Sequence, residues 1–152
     1  METSAHFEIA EIDLVYNAPK DLAQRPRVAK ASEASVIFKT TWDKGKIGFV
    51  EQFKILLLNR MYKVLGICTI ATGGMTATIV DIRLVMAAAL KSGAVQMIVA
   101  HNHPSGNLNP SEADKRVTRQ LVDAGKLLNI RVLDHVILSV EGFYSFADEG
   151  LM

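Results

Sequence analysis

Apolar and polar residues change rhythm along the chain, and each change marks an element. "FEIAEIDLVY" (7–16) alternates roughly one in two, the period of a strand. "NAPKDLAQRPRVAKAS" (17–32), with Pro19, Pro26 and four basic residues, reads as a connection or a partly ordered arm. A short helix follows at 32–42, with Ser32 as its expected N-cap, and then a turn at 43–48. "FVEQFKILLLN" (49–59) is a nearly continuous apolar strand. "RMYK" closes tightly onto a partner strand at 64–74. "TATIVDIRLVMAAALKSGA" (76–94) predicts a buried helix, with Thr78 and Asp81 as a capping-box-like start and Gly93 just past its end. "VQMIVAHN" (95–102) is short and apolar, as a central strand should be. An amphipathic helix is expected over 110–129, with Val117, Leu121, Leu127 and Leu128 among its apolar positions. Strands at 130–139 and 142–148 end the chain.

Strands alternating with helices predict an α/β or α+β fold, a mixed β-sheet with flanking helices. The 152 residues suit one domain, 1–48 being part of it or an arm on it and 49–152 its main body. Composition adds exclusions. Seventeen basic and sixteen acidic residues leave a net charge of +1, so no overall basic excess argues for nucleic acid. The longest apolar runs are too short to span a bilayer, and the N-terminus does not read as a signal peptide. The single cysteine, Cys68, allows neither an intrachain disulfide nor a Cys-based zinc site, and reads as core filler. A cytoplasmic location is the expectation. The edge at 7–16 offers a way to pair two copies as a dimer.

The chemistry concentrates in "VAHNHPSGNLNPSEAD" (99–114). His101 and His103, two apart at a strand end, project from one face, so two imidazoles can converge on one ion. Pro104, Gly106, Asn107, Asn109 and Pro110 favour turns and let the chain fold back to a helix opening at Ser111. Asp114 then brings a carboxylate to the same ion. Two nitrogens and one carboxylate leave a fourth position open, as in catalytic zinc sites. Each part has a plainer reading. Histidines two apart occur on ordinary strands, and Ser111 with Asp114 is also an N-cap with its N3 acid.

The whole string, His-x-His-x7-Ser-x2-Asp, matches the zinc signature of the JAMM (MPN-plus) metalloproteases at every position. With the later "LDHVILS", the words resemble the RadC family of bacterial JAMM-domain proteins from about Phe49 to Ser145. The resemblance implies a JAMM/MPN (cytidine-deaminase-like) sandwich and one Zn2+ held by His101, His103 and Asp114, with water as the fourth ligand. It implies hydrolysis of a peptide or isopeptide bond in an unidentified protein or peptide. Glu51 would be the general base and Ser111 the hydrogen-bond donor to the oxyanion; Glu33 and Glu8 lie outside the stretch of resemblance. Asn102 and Ser105 are near enough to support the site, and His135 is expected to be structural or supporting. Longer RadC proteins carry an N-terminal helix-hairpin-helix region, for which the 48 residues before Phe49 are too few and too interrupted by proline.

Two other functional classes compete. One is a metal-free interaction module, as some JAMM relatives are. The other is a DNA-repair-associated accessory protein using Arg25, Arg27, Lys30 and Lys39, or Lys44 and Lys46. A zinc deaminase is set aside, because it needs His-x-Glu and a Cys pair where this chain has His103 and one cysteine.

Overall fold

A computed structural model describes residues 9–11 and 21–152, and the side chain of every one of these except Leu22. Residues 9–11 carry no regular structure, and the rest of the strand expected at 7–16 lies outside the described residues. A 3-10 turn at Leu22–Gln24 precedes eight regular elements: α1 (Ala31–Thr41), β1 (Gln52–Leu58), β2 (Val64–Thr72), α2 (Ile82–Lys91), β3 (Gln96–Asn102), α3 (Glu112–Leu128), β4 (Arg131–Leu138) and β5 (Phe143–Ser145). The five strands form one mixed sheet in the order β2-β1-β3-β4-β5. Among the described residues only β3 and β4 run parallel, and α3 makes the crossover between them. The fold is therefore mixed α/β, as expected.

Every residue of β1 and of β3 is buried, because each strand has neighbours on both edges and helices over both faces. On one face Phe53, Ile55 and Leu57 of β1 and Met97 and Val99 of β3 pack under Val85, Met86 and Ala89 of α2 and Leu121 of α3. On the other, Leu56, Leu58, Ile98, Ala100, Val136 and Leu138 pack under Ala34 and Phe38 of α1, with Trp42 just beyond its end. Alternate side chains thus feed two cores. Fully burying one such side chain contributes roughly 1.5–3 kcal/mol. Among the described residues no helix is long and apolar enough to cross a membrane.

Several expectations are corrected. Helix α1 begins at Ala31 with Lys30 at the N-cap, so Ser32 lies inside the first turn. Glu33 causes the earlier start: its carboxylate accepts from the Ala29 and Lys30 backbone N–H groups at 2.7 and 3.1 Å. Helix α2 begins at Ile82, leaving Thr78 outside it. Asp81 alone is the cap, accepting from Arg83 N–H at 2.9 Å, and the β-branched run Thr78-Ile79-Val80 before it resists helix. Strand β1 begins at Gln52, after a turn that leaves Phe49 exposed. Strand β5 has only three residues. In α3 the buried positions are Thr118, Leu121 and Gly125, so Leu127 points away and is 83% exposed; Leu128 is exposed as well, at the helix end. Cys68 is half-buried against the core.

The segment read as a basic arm is tied down over its described part. Val28 N–H donates to the Tyr62 carbonyl and Val64 N–H to that of Pro26. Arg25 donates to the Val64 and Leu65 carbonyls, and the Arg27 guanidinium lies over the Tyr62 ring.

Candidate metal centre

Antiparallel pairing of β1 with β3 builds the site. Phe53 stands opposite His101, so the N-terminal end of β1 lies beside the C-terminal end of β3. Two residues back along β1 is Glu51, and two forward along β3 is His103; both keep the parity of the Phe53 and His101 face. Glu51 lies just before β1, its backbone bonded to the two glycines after β2. Its N–H donates to the Gly74 carbonyl at 2.9 Å, and its carbonyl accepts from Gly73 N–H at 2.7 Å. Gly73 must be glycine, because a Cβ there would collide with the Ala77 carbonyl and with Thr78.

His103 leaves the strand with its N–H donating to the Leu138 carbonyl of β4 at 2.9 Å. The loop then turns through Gly106, whose φ of 83° is left-handed, and returns to α3. Ser111 is the N-cap. Its Oγ accepts from Asp114 N–H at 3.1 Å, and its own N–H donates to Asp114 Oδ2 at 2.7 Å. This reciprocal box fixes the Asp114 carboxylate at the mouth of the helix. The Ser111 hydroxyl proton has no acceptor among the described residues.

Three ligand-type side chains converge there. His101 Nε2 and His103 Nε2 are 2.9 Å apart; Asp114 Oδ1 is 3.2 Å from the first, and Oδ2 is 3.5 Å from the second. His103 Nδ1 faces the Asn107 carbonyl, an acceptor only, so in the neutral ring Nδ1 carries the proton and Nε2 is bare. Glu51 and Ser111 line the same cleft, of about 400 Å³, with Thr78, His103, Asn109 and Asp114. All five side chains singled out from the sequence therefore come together. The group could hold one metal ion.

A model of the RadC-like JAB domain matches residues 28–151. The chain belongs to the RadC family. A UPF0758 protein of Flavobacterium johnsoniae is 46% identical over 101 residues, 66% of this chain and 44% of that protein. Another, from Symbiobacterium thermophilum, is 41% identical over 103 residues, 68% of this chain and 44% of that protein. The UPF0758 protein YfjY of Escherichia coli is 40% identical over 127 residues, 79% of each chain. The match to the first two thus spans under half their length. The label UPF0758 specifies no reaction.

Electrostatics separate the acids of the RadC site. Burial raises the Glu51 carboxyl above the usual carboxylate range, an effect that His101 and His103 partly offset. Burial alone would also raise Asp114, but its contacts with His101 and His103 outweigh that and hold it far below the usual range. His103 is raised, chiefly by Asp114. Folding thus moves the two carboxyls of the cleft in opposite directions.

Sequence reading places some supporting residues only loosely. Asn102, between the two histidines, points to the opposite face and is fully buried. Its Oδ1 accepts from Gln52 N–H at 2.7 Å, and its Nδ2 donates to the Ile47 and Val50 carbonyls at 2.7 and 2.9 Å. It therefore clamps the backbone on both sides of Glu51. Ser105 Oγ accepts from Asn107 N–H at 3.3 Å and shapes the loop. His135 is fully buried behind His101, and burial holds it well below its ordinary pKa. Thr118 reads in the sequence only as part of the helix, yet it lies one turn after Asp114 on the same face, a signal the i, i+4 spacing carries. Glu33 is engaged in capping α1, and Glu8 lies outside the described residues.

Proposed function

We propose that this chain is a zinc-dependent hydrolase of amide or isopeptide bonds, with His101, His103 and Asp114 as ligands. The observation that carries the reading is the pair of histidine Nε2 atoms 2.9 Å apart beside the Asp114 carboxylate. Electron pairs brought this close repel unless a cation or a shared proton lies among them. Imidazole nitrogens with one carboxylate suit zinc, and a fourth position would be left for water. Bound zinc supplies a water whose pKa is lowered to about 7 and a Lewis acid for the substrate carbonyl.

The chain's own residues do the rest. Glu51 accepts a proton from the attacking water and passes it to the leaving amine, so the broken C–N bond yields an acid and a neutral amine. Its raised carboxyl helps it hold that proton in transit. The uncommitted Ser111 hydroxyl donates to the oxygen that becomes negative, an interaction of roughly 3 kcal/mol in comparable sites. The substrate is a protein or peptide.

The test pairs metal analysis with cleavage of a mixed library of peptides and isopeptide-linked peptides. Purification without chelators should give one zinc per chain, and Glu51→Gln should keep the metal and lose cleavage. A wild-type protein that binds no transition metal, or a Glu51→Gln variant that cleaves at the full rate, would sink the reading. Metal binding without cleavage of anything would favour an interaction module.

A further inference from the structure

Behind the ligands runs a chain of three hydrogen bonds. His101 Nδ1 is 2.7 Å from His135 Nε2, His135 Nδ1 is 2.6 Å from Thr118 Oγ1, and Thr118 Oγ1 donates to the Asp114 carbonyl at 2.7 Å. Its direction follows from one end. A carbonyl oxygen only accepts, so Thr118 uses its single hydroxyl proton on Asp114 and must accept from His135 Nδ1–H. His135 has no exposed surface, stacks on Phe146 at 4.7 Å and meets the edge of Phe53 at 5.6 Å. Desolvation disfavours an imidazolium in such a place. Neutral and protonated on Nδ1, His135 offers Nε2 as an acceptor. His101 Nδ1–H donates to it, and His101 Nε2 is left bare toward His103 and Asp114.

We propose that Thr118 and His135 are positioning residues that set the tautomer of His101 and, through it, the strength of metal binding. The proposal rests on the metal reading of the site. The relay starts on the backbone of one ligand, Asp114, and ends on the ring of another, His101, so the orientation of the first sets the proton position on the second. His103 is set separately, by the Asn107 carbonyl. Supporting groups of this kind typically change metal affinity about 10–100-fold.

Thr118→Val keeps the shape and removes the acceptor. His135 would then carry its proton on Nε2 and donate to His101 Nδ1, placing the His101 proton on Nε2, where it blocks a ligand position. Thr118→Ser keeps the hydroxyl and should restore the relay. Side-chain nitrogen NMR of the metal-free full chain at mildly alkaline pH reads the tautomer directly, and competition with a chelator reads zinc affinity. Wild type and Thr118→Ser should show His101 protonated on Nδ1, and Thr118→Val on Nε2. Thr118→Val should bind zinc about 10–100-fold more weakly, with Thr118→Ser close to wild type. A wild-type His101 protonated on Nε2 overturns the proposal, and that spectrum needs no variant to fold. So does a Thr118→Val variant with unchanged tautomer and affinity. Failure of wild type to bind zinc would overturn the metal reading and the affinity half with it, while the tautomer half is decided by the metal-free spectra alone.

Discussion

Polar side chains are buried on both faces of the central strands, and the two faces use them in opposite ways. On the α1 face, Asn102 and Asp134 bond mostly to backbone. Asn102 holds the segment around Glu51. Asp134 accepts from His135 N–H and Ala147 N–H at 2.8 and 2.9 Å and from the Ser145 hydroxyl at 2.6 Å. Each is satisfied by donors or acceptors fixed in the fold. On the α2/α3 face, His101, His103 and His135 bond largely to one another and to Thr118, and two ring nitrogens are left facing a carboxylate. On the α1 face Asn102 and Asp134 meet fixed partners, although the buried Trp42 Nε1 there has none among the described residues, whereas on the other face the electron pairs of ligand-type groups are left open. An open set of that kind is where a ligand is to be sought.

The largest effect should come from removing a member of the open set. His103→Ala should abolish stoichiometric zinc binding, while far-UV circular dichroism stays that of the folded chain, because His103 is only half-buried and lies beyond the end of β3. Inductively coupled plasma analysis after dialysis decides it; a variant that keeps one zinc per chain would remove His103 from the ligand set. Next, Glu51→Gln should leave zinc in place and slow cleavage about 10²–10⁴-fold, the usual contribution of a positioned base. Equal loss of metal and activity would make Glu51 a ligand instead.

The open set is readable in the sequence, and most of what supports it is not. His101, His103, Ser111 and Asp114 lie within fourteen residues, and local geometry suffices: two apart at a strand end, then a capping box. Glu51 can be matched by type and order, but its place opposite His103 depends on the register of β1 on β3, a pairing about fifty residues apart that no local pattern encodes. The relay has the same difficulty, since His135 and Thr118 meet only through the β3–α3–β4 crossover. The misplaced start of α2 has a different origin. Thr78 and Asp81 satisfy a spacing rule, but the β-branched residues between them disfavour helix and Asp81 caps it alone. Leu127 is apolar and exposed because α3 keeps its 3.6-residue period past its last buried position, Gly125.

Asn102→Ala should separate the two faces. It leaves Gln52 N–H and two carbonyls without their partner in a buried place, so a loss of about 2–4 kcal/mol is expected in urea unfolding. Zinc affinity should change little, since the ligands are supported from the other face, while cleavage falls because Glu51 is no longer clamped. A large drop in zinc affinity with stability unchanged would show Asn102 belonging to the open set after all.

The smallest effect tests whether the closed face needs its charge. Burial raises the Asp134 carboxyl despite its three donors. An acid raised by folding contributes stability below its unfolded value, and that contribution is lost as pH rises through the folded value. At neutral pH the ionised form is therefore a mild burden. In the Asp134→Asn variant the side-chain amide oxygen could still accept from the two N–H groups, with the amide nitrogen donating to Ser145 Oγ. Relative to wild type, Asp134→Asn should gain stability at neutral pH compared with acid, and that gain should shrink on acidification through the ordinary carboxylate range near pH ~4. Unfolding curves at the two pH values read it. A variant destabilised at neutral pH and recovering in acid would mean that the charge itself, beyond its hydrogen bonds, holds β5 on β4. The α1 face would then also depend on a group that the fold alone does not neutralise.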